Sequence, residues 1–185
     1  MKSFIISGMP ASGKTTVAIR VAEMLGINYL CGGDILKNLA ISKGYKYSGN
    51  DWWDTSNGMK FLEERKQSYK FDHEVDNQLI KSIQEGNVVV TSYTAPWLSK
   101  TGVKIWLKAS PNNRAKRLAS RDKISYKEAL KVIKQRDEEN INIYKNMYNF
   151  ILDKDLSVFH LVLDTDILSK DKVIGIVSNV SKYFI

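Results

Sequence analysis

The sequence predicts an α/β fold of three layers, in which a five-stranded parallel sheet lies between two layers of helices. Short apolar runs alternate with longer segments of helical periodicity along the 185 residues, and this alternation is typical of parallel sheets covered by helices on both faces. The runs Val88-Val89-Val90 and Leu161-Val162-Leu163 are apolar at every position, as expected of strands buried on both faces. A chain of this length builds one hydrophobic core, so residues 1–185 are expected to form a single domain.

Each element follows from the local pattern. The strands are the short apolar runs, beginning with Phe4-Ile5-Ile6, and the helices are the segments between them whose apolar residues recur every three or four positions. Gly26 closes the first helix, and Ser110-Pro111 provides an N-cap and a first-turn proline for a later one. The predicted strands are residues 3–7, 28–31, 87–91, 103–108 and 159–163, and the predicted helices are residues 13–25, 35–42, 58–69, 74–85, 111–121, 125–148 and 169–183.

A glycine-rich motif connects the first strand to the first helix. Residues 8–15 fit the pattern G-x-x-x-x-G-K-[ST] at each fixed position, and a strand, a turn and a helix in this order identify a P-loop. Backbone N–H groups of the turn are expected to bind the phosphates of ATP at the helix N-terminus. The Lys14 ammonium would reach the β- and γ-phosphates as a catalytic group, and the Thr15 hydroxyl would be a ligand of Mg²⁺. The predicted ATP site comprises Gly8, Met9, Pro10, Ala11, Ser12, Gly13, Lys14, Thr15 and Thr16.

Composition narrows the class of protein. The formal net charge is +8, but the lysines are scattered along the chain. We therefore attribute the charge to a basic surface and a cleft for small anionic nucleotides, and specific nucleic-acid binding is not expected. No apolar run is long enough to span a membrane and no signal peptide is evident, so a cytoplasmic location is expected. Cys31 is the single cysteine, which excludes an internal disulfide, and the sequence leaves the oligomeric state open.

A basic helical hairpin in the C-terminal half indicates a phosphotransferase. Arg114, Arg117 and Arg121 are spaced i, i+3 and i+7 on one helix face, and Arg136 follows on a second basic helix. Guanidinium groups match phosphate oxygens and stay charged. Residues 114–136 are therefore expected to form a mobile lid that closes over the triphosphate and excludes water. The D-x-x-G and N-K-x-D motifs of GTPases are absent, which favours a kinase for a small acceptor.

Further motifs resemble those of the short, archaeal-type cytidylate kinases, within the nucleoside monophosphate kinases. The resemblance covers nearly the whole chain and includes Gly32-Gly33-Asp34-Ile35-Leu36-Lys37, Asp72-His73-Glu74-Val75-Asp76 and Lys104-Ile105-Trp106-Leu107-Lys108-Ala109. It implies transfer of the γ-phosphoryl group of ATP to CMP or dCMP with Mg²⁺. It also implies that Arg117, Arg121 and Arg136 hold the transferring phosphoryl group. Asp164 and Thr165 would lie near the adenine of ATP, and helices within about residues 33–85 would bind the acceptor.

The chain departs from this family around the acceptor. The family usually has E-G-R after the central strand, with an arginine that binds the acceptor phosphate, whereas this chain has Thr91-Ser92-Tyr93. Lys37 replaces an arginine, and Asn140 and Ile143 replace an acid and an arginine of the second lid helix. These differences leave two alternatives open. One is a P-loop kinase for another small acceptor, and the other is a nucleotide-binding protein with weak transfer activity.

The candidate substrate-binding residues are Asp34, Lys37, Asp72 and Tyr93. Asp34 is either a helix N-cap or a contact to Mg²⁺, water or the acceptor, and Asp72 is interpreted as an N-cap. Trp52 and Trp53 either pack against the core or, with Tyr93, reshape the acceptor pocket. His73 and His160 have no partners at metal-ligand spacing and are interpreted as structural or surface residues.

Overall fold

The predicted α/β architecture is confirmed by the computed structural model, which describes residues 2–46, 60, 61, 64, 65 and 69–184. The strands are β1 Phe4–Ser7, β2 Asn28–Cys31, β3 Val88–Thr91, β4 Val103–Lys108 and β5 Leu161–Asp164. The helices are α1 Lys14–Leu25, α2 Gly32–Ser42, α3 Lys70–Glu85, α4 Ala95–Leu98, α5 Pro111–Asp122, α6 Tyr126–Tyr148 and α7 Lys170–Lys182. All strand pairs are parallel, and the order across the sheet is β2-β3-β1-β4-β5.

Alternate side chains of β1 supply the two faces of the sheet with hydrophobic cores. Phe4 and Ile6 pack with residues of α1 and α7, among them Val21 and Val177. Ile5 points to the opposite face and joins the core formed with α2 and α3. Because successive side chains of a strand point to opposite faces, a central strand that is apolar throughout requires a helical layer on each side.

The last strand differs from its prediction. The sequence predicts a strand buried on both faces over residues 159–163, but β5 begins at Leu161 and forms an edge of the sheet, where Val162 is 43% exposed. An edge strand has a neighbour on one side only, so its outer positions reach solvent. The backbone N–H of His160 donates to the carbonyl of Lys104 at 2.9 Å, and its Nδ1 accepts from the Lys104 N–H at 2.9 Å. His160 therefore has the structural role that the sequence predicts.

Two helices begin earlier than the sequence predicts. Cys31 is the N-cap of α2 and Tyr69 is the N-cap of α3. Asp34 and Asp72 consequently lie in the first helical turns, and their interpretation as N-caps is wrong. A carboxylate in the first turn still interacts favourably with the helix dipole. The carboxylate of Asp72 also forms an ion pair with the guanidinium of Arg65.

The aromatic pair Trp52 and Trp53 lies outside the described residues, as does most of the helix predicted over residues 58–69. The described residues 60, 61, 64 and 65 are helical, and Phe61 is fully buried in the core beside α2 and α3. Across the described ranges, none of the helices combines the length and the apolar composition that crossing a membrane requires.

Candidate active site

One cavity of about 680 Å³ opens at the carboxyl ends of the parallel strands. The segments that follow four of the strands line it: residues 10–16 after β1, Cys31 to Asp34 at the end of β2, Thr91 to Thr94 at the end of β3, and Thr165 after β5. Helices α3, α5 and α6 complete its walls. Ligands of open parallel sheets bind at this edge because loops from several strands converge there.

The P-loop lines one half of this cavity, which we call the phosphate half. Gly8 has φ +154°, and a Cβ there would lie 2.5 Å from the carbonyl oxygen of Leu107 and 2.6 Å from Ser12 Oγ, so the turn requires glycine. Gly13 precedes α1 without a side-chain cap, which leaves the first-turn N–H groups for a ligand. Ser12 Oγ is buried and has no hydrogen-bond partner in the described part of the chain. These donors fit a bound phosphate group.

Lys14 extends across the cavity towards Tyr93. Its Nζ lies 3.5 Å from the Tyr93 hydroxyl, 4.6 Å from the centre of that ring and 3.4 Å from the carbonyl oxygen of Met9. Both polar contacts are long for hydrogen bonds, so phosphate oxygens can replace them at little cost. Tyr93 lies where the phosphate half meets the rest of the cavity. We call that second part the acceptor half; it is lined by Arg65, Asp72, Asp76 and Tyr144.

Arg114 has a structural role in the helical hairpin. It is 2% exposed, and its Nη2 pairs with Asp137 of α6 at 2.5 Å. It also donates to the carbonyls of Pro10 at 3.2 Å and Ala109 at 3.1 Å. These bonds fix the first turn of α5 to the P-loop and to α6. The interpretation of Arg114 as a phosphate-binding member of the arginine face is therefore wrong.

The other predicted arginines line the cavity; they are Arg117, Arg121 and Arg136. Arg117 donates to the carbonyl of Ser12 at 3.1 Å, and to the Oγ1 of Thr165 at 3.1 Å and its carbonyl at 2.8 Å. It thereby links the turns after β1 and β5. The side chain of Arg121, one helical turn farther along α5, is 50% exposed. Arg117 is therefore held at the phosphate half, and Arg121 lines the cavity from a more exposed position.

Arg65 is the buried cation of the acceptor half. It is 3% exposed, and its Nε donates to Asp72 Oδ2 at 2.7 Å. Its Nη2 donates to the other carboxylate oxygen of Asp72 and to the Tyr144 hydroxyl, the latter at 2.8 Å. Burial is the largest influence on the pKa of Arg65 and lowers it, but Tyr144 and Asp72 together raise it above its usual value. The guanidinium therefore remains charged.

Asp76 lies one helical turn after Asp72, on the same side of α3. It accepts hydrogen bonds from the hydroxyls of Thr94 and Tyr148, the latter at 2.6 Å. Burial raises the pKa of Asp76, and the two hydroxyl bonds oppose that shift. Tyr148 also contacts His73, at 3.2 Å from hydroxyl to Nδ1, so His73 packs against the outside of this cluster.

Most of the predicted site residues reach the cavity. Those that line it are Pro10, Ala11, Ser12, Gly13, Lys14, Thr15, Thr16, Asp34, Asp72, Tyr93, Arg117, Arg121, Arg136 and Thr165. Gly8, Met9, Lys37 and Asp164 do not. Met9 packs instead in the core around Trp106. Asp164 is exposed, and its Oδ1 accepts from the Asp166 N–H at 2.9 Å.

Sequence reasoning missed Arg65 and Tyr144. Arg65 belongs to no motif recognised in the sequence, and the family resemblance covers Tyr144 without giving it a role. The two residues meet because the fold brings together residues 79 positions apart. The i, i+4 spacing of Asp72 and Asp76 was a usable signal, since it places both carboxylates on one face of a helix.

The phosphate half also suits a magnesium nucleotide. Thr15 and Asp34 line the cavity together with Lys14. The described segments contain no group of three or more His, Cys, Asp or Glu residues arranged to hold a metal ion. Mg²⁺ in nucleotide sites takes one or two protein ligands and completes its shell with phosphate oxygens and water. Thr15 and Asp34 fit that limited role.

Comparison with known proteins gives concordant results. A family model described as "Cytidylate kinase-like family" matches residues 5–167. A cytidylate kinase of Pyrobaculum islandicum is 36% identical over 173 residues, which are 92% of this chain and 88% of that protein. One of Methanocaldococcus jannaschii is 35% identical over 179 residues, 94% of each. Among solved structures, a shikimate kinase from Acinetobacter baumannii aligns with a TM-score of 0.59 over 99% of this chain and 94% of the other. The sequences are 16% identical, so the similarity is one of fold.

Proposed function

The chain belongs to the cytidylate kinase-like family, and we propose on that premise that it transfers the γ-phosphoryl group of ATP to CMP or dCMP. The observation that carries the proposal is the continuity of the cavity. The P-loop and Arg117 line its phosphate half, Arg121 and Arg136 line the same cavity, and Tyr93 joins the phosphate half to a polar acceptor half. Two substrates bound in these halves would meet beside Lys14.

The proposed reaction depends on alignment of the two substrates and on neutralisation of the charge of the transferring phosphoryl group, rather than on covalent catalysis by the protein. A phosphate oxygen of the acceptor attacks the γ-phosphorus, the bond from γ-phosphorus to the bridging oxygen breaks, and ADP leaves with the electron pair. Lys14 and the P-loop N–H groups would hold the β- and γ-phosphates. Arg117, Arg121 and Arg136 would neutralise charge on the moving group. Mg²⁺, held by the phosphates with Thr15 and Asp34, would supply further neutralisation.

The proposed activity predicts which acceptors stimulate ADP release. With ATP and Mg²⁺ present, CMP or dCMP should give kcat/KM values at least about tenfold above those of UMP, AMP and GMP, a discrimination that one or two polar contacts to the base provide. Chromatography should show CDP or dCDP formed in equal amount to ADP. If no monophosphate raises ADP release above the rate with ATP alone, in protein that binds ATP, the proposal is wrong. A different acceptor or a nucleotide-binding role then takes its place.

We also propose that the hairpin of α5 and α6 is the lid. It has its own small core of Ala115, Leu118, Ala129 and Ile133, so it should move as a unit rather than by unfolding. A bisubstrate analogue joining adenosine and cytidine through phosphates should slow amide hydrogen exchange within residues 114–136 by about tenfold or more, because ligand contacts in the closed position make local unfolding of the hairpin less frequent. Cytidine alone serves as the control ligand. Equal exchange with and without the analogue would argue against closure.

A further inference from the structure

We propose that Arg65 and Tyr144 form the binding site for the acceptor's phosphate group, an inference that rests on the proposed function. Of the described residues between positions 33 and 85, Arg65 is the one cation that lines the cavity. An acceptor phosphate carries up to two negative charges, and a buried anion needs a charged partner. Tyr93, at the junction with the phosphate half, carries no positive charge.

The Nε and Nη2 groups of Arg65 are hydrogen-bonded within the protein, and its Nη1 group remains as a donor for a ligand. Asp72 takes Nε and Nη2, and the Tyr144 hydroxyl takes the second Nη2 proton. Nη1 has no acceptor anywhere in the described ranges of the chain. The residue is 3% exposed and lines the cavity, and Nη1 is not among the fully buried atoms that lack a partner, so a ligand in the cavity could accept a hydrogen bond from it.

Tyr144 supplies a second donor beside the first. Its hydroxyl oxygen accepts from Arg65, which leaves the hydroxyl proton for a ligand. Tyr144 is 5% exposed and lines the same cavity. Burial raises the pKa of Tyr144, so the hydroxyl keeps its proton at neutral pH. A phosphate oxygen placed here would receive one charge-assisted bond from Nη1 and one bond from the hydroxyl.

The contacts also place this pair at the correct end of the cavity for an acceptor. The Arg65 guanidinium carbon lies 5.7 Å from the centre of the Tyr144 ring. That ring lies 5.9 Å from the ring of Tyr93, and Lys14 Nζ lies 4.6 Å from the Tyr93 ring. Tyr93 therefore neighbours both Tyr144 and Lys14, and a phosphate bound by Arg65 and Tyr144 would lie on the Tyr144 side of it. Asp72 acts as a positioning residue that keeps the guanidinium in place.

The test compares Arg65→Lys and Tyr144→Phe with the unchanged chain. Lysine keeps the charge but loses the planar fork. We expect the KM for CMP at saturating ATP to rise about 10- to 100-fold in Arg65→Lys, and about 3- to 10-fold in Tyr144→Phe. The KM for ATP should stay within about twofold of its original value. The inhibition constant of cytidine, which lacks the phosphate, should also be unchanged in both variants.

Matched controls use exposed residues of the same types. Arg20→Lys and Tyr183→Phe lie on the surface and should leave the KM for CMP unchanged. If Arg65→Lys does not fold, Tyr144→Phe carries the test, because it removes a single oxygen and keeps the ring. A KM for CMP that stays at its original value in Tyr144→Phe, or equal losses of CMP and cytidine binding in either variant, overturns the proposal. If the unchanged chain phosphorylates no monophosphate, the proposed function itself is wrong. If it phosphorylates CMP and the variants behave like it, only the assignment of the acceptor-phosphate site is wrong.

Discussion

Replacing Lys14 by alanine should lower kcat for phosphoryl transfer by about 10²- to 10³-fold while the fold is retained. The reason for the loss is that a positioned cation on the β- and γ-phosphates stabilises charge that develops in the transition state. The fold should survive because Lys14 makes only long contacts, at 3.4 Å to Met9 and 3.5 Å to Tyr93. Steady-state kinetics measure the first effect, and thermal unfolding measures the second.

Lys81→Ala is the matched control, since Lys81 is exposed on α3 and does not line the cavity. Its kcat should match that of the original chain. Should Lys14→Ala retain turnover within about threefold of the original, the assignment of the P-loop to the chemistry would fail.

Replacing Asp137 by alanine should lower the free energy of unfolding by about 3–5 kcal/mol. The change leaves the buried guanidinium of Arg114 without its paired carboxylate; the carbonyls of Pro10 and Ala109 and an electrostatic interaction with Asp153 remain. An uncompensated buried charge is far more costly than the pair was favourable. Urea denaturation gives the difference from the shift of the midpoint at constant slope.

Two further variants distinguish the buried pair from a general effect on α6. Glu138→Ala, at the exposed neighbouring position, should change the free energy of unfolding by less than about 0.5 kcal/mol. The double variant Arg114→Met with Asp137→Leu should recover most of the loss, because apolar residues can replace a buried ion pair. A loss that is the same in the single and double variants would contradict this account.

The parallel sheet and the phosphate half are predictable because their signals are local. The P-loop is one contiguous motif, and the run Val88-Val89-Val90, apolar at every position, indicates a strand buried in the middle of a sheet. Helix periodicity similarly predicts α5 and α6, and the N-cap of α5 at Ser110 is confirmed by its bond from the Asn113 N–H at 3.3 Å.

The environments of the buried arginines could not be predicted, because they depend on tertiary contacts between residues that are far apart in the sequence. Periodicity places Arg114 on the same face as Arg117, but only the position of Asp137 on α6 shows that Arg114 is buried and paired. The environment of Arg65 is likewise set by Asp72 and Tyr144, which come from two different helices. Long-range polar contacts therefore determine which cations line the cavity and which hold the surrounding helices in place.

Because Arg114 fixes the first turns of α5, the rest of the helix can rotate about that residue as its pivot. The twelve residues of α5 span about 18 Å at 1.5 Å per residue. The far end, Asp122, lies about 12 Å along the axis from Arg114, so a rotation of about 10° at the pivot would move Asp122 and Arg121 by about 2 Å. Arg117, close to the pivot, would move by less than about 1 Å and is already bonded to the P-loop. Rotation of α5 would therefore leave Arg117 in position at the P-loop, whereas the position of Arg121 would depend on how far the helix has rotated.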